Sequence, residues 1–280
     1  MTVRVGVTGP GGRMGRMLVE AIADNEASCV LAAAVARPGS SLVGTDVGQL
    51  LGGEALVLGG EALGVRVTDD LLSVASAIDV LIDFTLPEAT LAHAQVCAEH
   101  GVPMVIGTTG FTDDQSERLH SITTALAVCR SSNFAPGVNL TFQLVEAAAK
   151  ALGDSVDVEI VEAHHRHKVD APSGTALSLG EAVARARGRD LSDVAVHARE
   201  GRTGARLQNA IGFSSIRAGD IVGDHTVIFA GDGERLEITH RSSSRQAFAS
   251  GAVTAACWLV KQPTGQYDMQ DVLTQQESAR

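Results

Sequence analysis

Val3-Arg4-Val5-Gly6-Val7-Thr8-Gly9-Pro10-Gly11-Gly12-Arg13-Met14-Gly15 is the stretch that decides the fold. Its first six residues form a short apolar run that reads as a strand, and the run ends at a glycine cluster. Apolar Met17, Leu18, Ala21 and Ile22 then recur at helical spacing. Strand, glycine turn and helix in that order open a dinucleotide-binding βαβ unit. The glycines are spaced GxxGxxG, on Gly9, Gly12 and Gly15, because Met14 stands where the stricter GxGxxG pattern has its third glycine. The physics is common to both spacings: the backbone turns tightly and approaches a pyrophosphate, whose charge is held by free N–H groups at the helix start. Arg13 and Arg16 add positive charge nearby. A plain glycine turn is the competing reading, and the position directly after the first strand favours the nucleotide.

Outward from this turn the pattern continues as alternating strands and helices. Residues 29–36 read as a second strand, 80–84 and 103–106 as further strands, and 88–100 and 113–126 as helices. Such alternation predicts a parallel sheet with helices on both faces. Residues 44–64 are glycine-rich and predict a loop with a short hairpin. At the end of the second strand an NAD site usually has an acidic residue for the adenosine ribose, whereas Ala36-Arg37 stands here. An arginine there suits a 2′-phosphate, so NADPH is expected to be well accepted. Gly107-Thr108-Thr109-Gly110 and Ser131-Ser132-Asn133-Phe134 also follow strands, where ligands of such sheets sit, and both loops are candidates to line the nicotinamide.

After Phe134-Ala135-Pro136-Gly137 the style changes. A helix over 139–152 leads to a strand over 156–162, then a histidine-rich loop and a helix over 174–187. Strand-like segments at 195–199, 208–217, 221–230 and 235–241 follow without helices between them, and a last helix spans 245–261 with Trp258. This predicts an α+β second domain with a mainly antiparallel or mixed sheet. The loop Glu162-Ala163-His164-His165-Arg166-His167-Lys168-Val169-Asp170-Ala171-Pro172-Ser173-Gly174-Thr175 holds the chemistry. Three histidines, an arginine and one of only three lysines converge before a helix start, where Ser173, Gly174 and Thr175 offer N–H and hydroxyl donors to an anion. The competing readings are a zinc site on His164, His165 and His167, and a merely solvated basic loop. Adjacent histidines rarely aim at one metal, and no metal is expected.

Composition narrows the classes. A formal charge of −11 with no basic run argues against nucleic acid, while a local cationic pocket for a small anion stays open. Cys29, Cys97, Cys129 and Cys257 lack any CxxC or metal spacing and read as buried thiols in a reducing compartment. With no signal-peptide pattern and no apolar run of membrane length, a cytoplasmic location and no membrane partner are expected.

With these residues in view, the chain resembles the dihydrodipicolinate reductase family, over 5–15, 83–85, 107–111, 133–139, 162–176, 217–225, 234–245 and 267–273. The resemblance implies NADPH- or NADH-dependent reduction of a cyclic dicarboxylate in lysine and diaminopimelate biosynthesis. It places a proton donor or acceptor at His164 and a proton donor at Lys168. His165, Lys168, Ser173, Gly174 and Thr175 fall at substrate-carboxylate positions. Gly9, Pro10, Gly11, Gly12, Arg13, Met14, Arg37, Gly107, Thr108, Thr109, Ser131, Ser132, Asn133 and Phe134 fall at dinucleotide positions. It also implies a Rossmann-type domain over 1–134 completed by 246–280, a domain over 135–245 for substrate, catalysis and oligomerisation, and a homotetramer. The family often has an acidic residue where Ala36 stands. A redox-sensing dinucleotide-binding protein without turnover is the alternative, and a sensor has no use for a proton donor at Lys168.

Overall fold

The computed structural model describes residues 2–50 and 62–277, so most of the glycine-rich stretch expected to loop at 44–64 lies outside the described residues. The chain divides into two compact units, Met1–Pro136 with Gln246–Arg280, and Gly137–Arg245. Its strands, among the described residues, are β1 (Val3–Thr8), β2 (Cys29–Val35), β3 (Val67–Thr68), β4 (Val80–Asp83), β5 (Met104–Ile106), β6 (Ala127–Arg130), β7 (Asp157–His164), β8 (Ala195–Val196), β9 (Ile211–Arg217), β10 (Gly223–Ala230), β11 (Arg235–Ser242) and β12 (Gly265–Tyr267).

The first unit holds a seven-stranded sheet in the order β12-β6-β5-β4-β1-β2-β3, with every pair parallel. Reading 3-2-1-4-5-6 across it recovers the doubly wound dinucleotide order, extended by β12 beside β6. Parallel strands need both faces covered, which is why β4 reads as an unbroken apolar run ending in a buried Asp83. One face packs the helices Arg13–Ala23 and Gln246–Leu259, and the other packs Pro87–His100 and Asp113–Ile122. Leu18 and Ile22 of the first helix are fully buried, each worth about 1.5–3 kcal/mol relative to exposure. The helix Gln246–Leu259 faces the sheet with Ala249, Ala252, Ala255 and Ala256, and a side chain at its Gly251 would collide with the carbonyl oxygen of Phe134. Small residues let this helix lie close.

Two elements of this unit carry no readable sequence pattern. β12 has three residues and β3 two, too short for a periodicity, and both are strands because a neighbouring parallel edge pairs with them. The helix expected over 113–126 ends at Ile122, since Leu126 donates its backbone N–H to the Thr123 carbonyl in the turn before β6.

In the second unit the sheet is mixed, in the order β11-β10-β7-β9-β8. β7 pairs antiparallel with β10 and parallel with β9, so β9 and β10, consecutive in the chain, are not neighbours. The crossover between β7 and β9 carries the helix Gly174–Ala186, and β7 ends up central. This helix and Pro136–Leu152 cover one face, over Val158, Ile160, Ile211, Phe213, Val227 and Phe229. β8 is two residues and β9 starts at Ile211, after Asn209 turns at φ 64, so the expected strands at 195–199 and 208–217 are shortened.

Among the described residues no helix is long and apolar enough to cross a membrane. Cys29, Cys97 and Cys129 are buried and Cys257 half-buried. Burial pushes each of the first three thiols up to about 12, which keeps them protonated and unreactive.

Candidate active site

The first unit gathers its candidate loops at the carboxyl edge of the sheet, because β6, β5, β4 and β1 are neighbours there. Gly9 adopts φ 62, a left-handed turn, and its carbonyl accepts from Gly12 N–H at 2.9 Å. A side chain at Gly15 would run into the Gly9 carbonyl, so glycine there sets how closely helix and turn approach. The helix Arg13–Ala23 begins at Gly12 without a side-chain cap, leaving its first N–H groups for a ligand. Above the turn lies a cavity of 720 Å³, a size suited to a small-molecule ligand. Gly9, Pro10, Gly11, Gly12 and Arg37 line it, whereas Arg13, Met14 and the Gly107–Thr109 and Ser131–Phe134 loops do not. Phe134 is buried core, its ring 5.5 Å from that of Phe84, and Thr108 is buried in a hydroxyl network.

That network was missed by sequence reasoning. Asp83, fully buried at the end of β4, accepts from the Thr85 hydroxyl at 2.6 Å, from Thr90 and Thr108 at 3.2 Å, and from His93 Nδ1 at 2.5 Å. His93 and Thr85 reach the cavity wall. Asp83-Phe84-Thr85 is visible in the sequence, but its partner on the following helix, ten residues on, is not.

The second unit brings its candidates together around a carboxylate. Glu162 and His164 are two apart on β7 and so share a face. The register sets Ser215 and His225 beside Glu162, and Arg217 beside His164. Glu162 is 1% exposed. It receives Arg217 in bidentate fashion at 2.9 and 2.7 Å, His164 Nδ1–H at 2.6 Å and the Ser173 N–H at 3.3 Å. Ser173 caps the helix Gly174–Ala186 by accepting from Ala176 N–H, and its hydroxyl meets His225 Nε2 at 3.0 Å. The His164 and His225 rings stand edge to face, 5.1 Å apart. Of the remaining candidates, Lys168 is held at 2.8 Å by both oxygens of Asp170, and His165 Nδ1 accepts from His167 N–H. Gly174 and Thr175 form the first turn of the capped helix. Glu162, Arg217 and His225 were not singled out from sequence; strand alternation from His164 back to Glu162 was the available signal.

Two family profiles cover the chain: the one described as dihydrodipicolinate reductase, N-terminus, matches residues 3–134, and the one described as dihydrodipicolinate reductase, C-terminus, matches 137–273. The chain belongs to the dihydrodipicolinate reductase family. Similar relatives include the 4-hydroxy-tetrahydrodipicolinate reductase of Psychrobacter arcticus, 55% identical over 97% of this chain and 95% of that protein. That of Alkalilimnicola ehrlichii is 56% identical over 98% and 99%. Among solved structures, the dipicolinate-bound dihydrodipicolinate reductase of Paenisporosarcina sp. TG-14 superposes with a TM-score of 0.73 at 31% identity, covering 96% of this chain and 98% of that one. The Rossmann-type unit of this family binds NAD(P)H, and the turn, the uncapped helix start and the cavity found here fit such a dinucleotide.

Electrostatics in the second unit of this reductase-family chain are set by burial and by cations. Burial works against ionising Glu162, but hydrogen bonds from Arg217, Ser215 and His164 outweigh it and hold the carboxyl down at about 2. Burial, and then the neighbouring His164, pushes His225 down to about 4, so it is neutral at physiological pH. His165 is also held below its ordinary range, by burial and then by Arg245, His167, His164 and Lys168. Lys168 and Arg245 beside these imidazoles favour an anionic ligand. Both buried groups carry the same sign for stability. Glu162 binds its proton more weakly when folded, so its contribution is complete above 4.5 and is lost as pH falls toward 2. His225 also binds its proton more weakly when folded, so stability is lost as pH falls from 6.5 toward 4. The His225 part amounts to roughly 3 kcal/mol. Hydrogen-exchange protection of the β7 and β10 amides, corrected for intrinsic rates, should decline over that acid range, and His225→Asn should flatten it. Protection that stays level in the unaltered protein would contradict a buried neutral His225.

Proposed function

We propose that the chain reduces 4-hydroxy-tetrahydrodipicolinate, by way of dihydrodipicolinate and with loss of water, to tetrahydrodipicolinate with NADPH or NADH, in lysine and diaminopimelate biosynthesis. The observation that carries the site assignment is the cluster at the end of β7, where His164, Ser173 and the start of the helix Gly174–Ala186 meet around one buried anion. The dinucleotide supplies the hydride. Gly9, Pro10, Gly11, Gly12, Arg13 and Met14 hold its pyrophosphate, Arg37 a 2′-phosphate, and Gly107, Thr108, Thr109, Ser131, Ser132, Asn133 and Phe134 its nicotinamide side. His165, Ser173, Gly174 and Thr175 bind the substrate carboxylates through N–H, hydroxyl and imidazole donors. Lys168 exchanges Asp170 for a substrate carboxylate and donates a proton at Nζ, and His164 transfers a proton at Nε2.

Residues 1–134 with 246–280 serve as the dinucleotide domain, and 135–245 as the substrate and assembly domain of a cytoplasmic homotetramer. Supporting the assembly surface, the sheet face opposite the helices carries half-buried Val161 and Ile228 and exposed Ile216, which is 49% exposed. A solution mass by light scattering near four chains of 29.0 kDa is expected, and a monomeric mass would reject this assembly.

Two kinetic outcomes follow for the site. Lys168→Ala and His164→Ala should each lower kcat by roughly 10²–10⁴-fold with dinucleotide binding retained, while His165→Ala acts mainly on KM. Near-normal kcat in both of the first two variants would sink the catalytic assignment. Arg37→Ala should raise KM for NADPH more than for NADH, by a contact worth about 1–3 kcal/mol. Equal losses with the two cofactors would show that Arg37 does not read the phosphate.

A further inference from the structure

We propose that Glu162 is the positioning residue of the catalytic cluster, one carboxylate oxygen fixing the ring of His164 and the other fixing the Ser173 end of the helix Gly174–Ala186. This rests on the roles given above to His164 and Ser173.

The two oxygens are used differently. Oε2 accepts from His164 Nδ1–H and Arg217 Nη1, at 2.6 and 2.9 Å. Oε1 accepts from Arg217 Nη2 and the Ser173 N–H, at 2.7 and 3.3 Å. These four bonds, with Ser215 donating beside them, saturate a carboxylate that solvent scarcely reaches, so Glu162 has no lone pair left for a substrate. Its effect passes through the groups it holds. A carboxylate only accepts, so the hydrogen shared with His164 sits on Nδ1, which leaves Nε2 as the atom that takes up and releases a proton. Arg217 in turn keeps the carboxylate ionised and immobile, and anchors the loop by donating to the Asp170 carbonyl at 2.7 Å.

Charge makes Glu162 necessary as well as geometry. His164 faces Glu162 on its own strand, Arg217 from β9, His225 from β10 and His165 from the loop, where Lys168 lies near His165 and His225 and holds Asp170. Asp170 is taken up by Lys168, so Glu162 is the anion in direct contact with the imidazole. Remove it, and the imidazole is left beside the Arg217 guanidinium with no carboxylate in contact. Ser173 depends on the same residue: its N–H is tied to Oε1, while its hydroxyl caps the helix and touches His225.

The test uses the full chain, with substrate generated in situ by a synthase. Glu162→Gln, His164→Ala and the double variant are compared for kcat, KM and the pH profile of kcat, with NADPH binding and far-UV circular dichroism as controls for folding. Glu162→Gln should lower kcat by roughly 10²-fold, raise KM for the substrate, and move one limb of the profile to lower pH. In the His164→Ala background the same substitution should cost little further kcat. Glu162→Asp, which restores the charge, should return the limb toward its original pH. Independently of turnover, long-range ¹⁵N–¹H correlation spectra of the unaltered protein should show His164 protonated at Nδ1, with its signals assigned by their loss in His164→Ala. A kcat loss equal with and without His164 overturns the positioning role alone, as does a ring protonated only at Nε2 or a limb that stays put in Glu162→Gln. Normal kcat in His164→Ala overturns the underlying assignment of His164. If Glu162→Gln does not fold, Glu162→Asp and the spectrum of the unaltered protein decide.

Discussion

A single buried carboxylate, Glu162 clamped by Arg217, is the interaction on which the second unit depends. Taking both charges out of water is costly, and the cost is met because the pair is bidentate and every remaining lone pair has a donor. Removing either partner would leave a charge stranded in the sheet. The register of the sheet is tied to the same pair. Slipping β9 or β10 by one residue would turn Arg217 or His225 to the opposite face and bring Ile216 or Asp224 inward. Strand order, register and chemistry are therefore one constraint, and the mixed sheet follows from it: β7 must be flanked on both sides to be held by both neighbours.

The first unit solves a different problem by different means. There the main chain itself forms the turn, and Gly9 and Gly15 set how closely the helix start lies against it. Side chains join it in the lining of the cavity, among them Arg37 and His93, the latter held from behind by Asp83. Backbone recognition tolerates many side-chain changes around it, whereas the side-chain cluster of the second unit tolerates few.

Legibility in the sequence tracked the range of the physical cause. The glycine turn, the apolar strands and the 174–186 helix rest on neighbours within a few residues, and their pattern is written locally. His164, Lys168 and Ser173 were visible for the same reason, being clustered in one loop. Arg217 and His225 lie 55 and 63 positions beyond Glu162, and only the pairing of β9 and β10 with β7 brings them to it. The same holds for β12, whose three residues become a strand only because β6 offers an open edge. That the sheet of the second unit places β9 beside β7 rather than β10 was likewise hidden, since local turn signals describe adjacency in the chain and not in the sheet.

The return of Gln246–Leu259 to the first unit has a consequence for biosynthesis. The sheet face beneath Val5, Val7, Ile82 and Val105 is roofed in part by Ala252, Val253 and Ala256. Those residues are made only after the whole of the second unit. Until then a nascent chain lacks the helix that covers this part of its apolar sheet, while the contiguous second unit, Gly137–Arg245, already has its own core in hand. Order of synthesis and order of folding thus run opposite for the two units, and the N-terminal half is the part that most needs shielding while translation is under way.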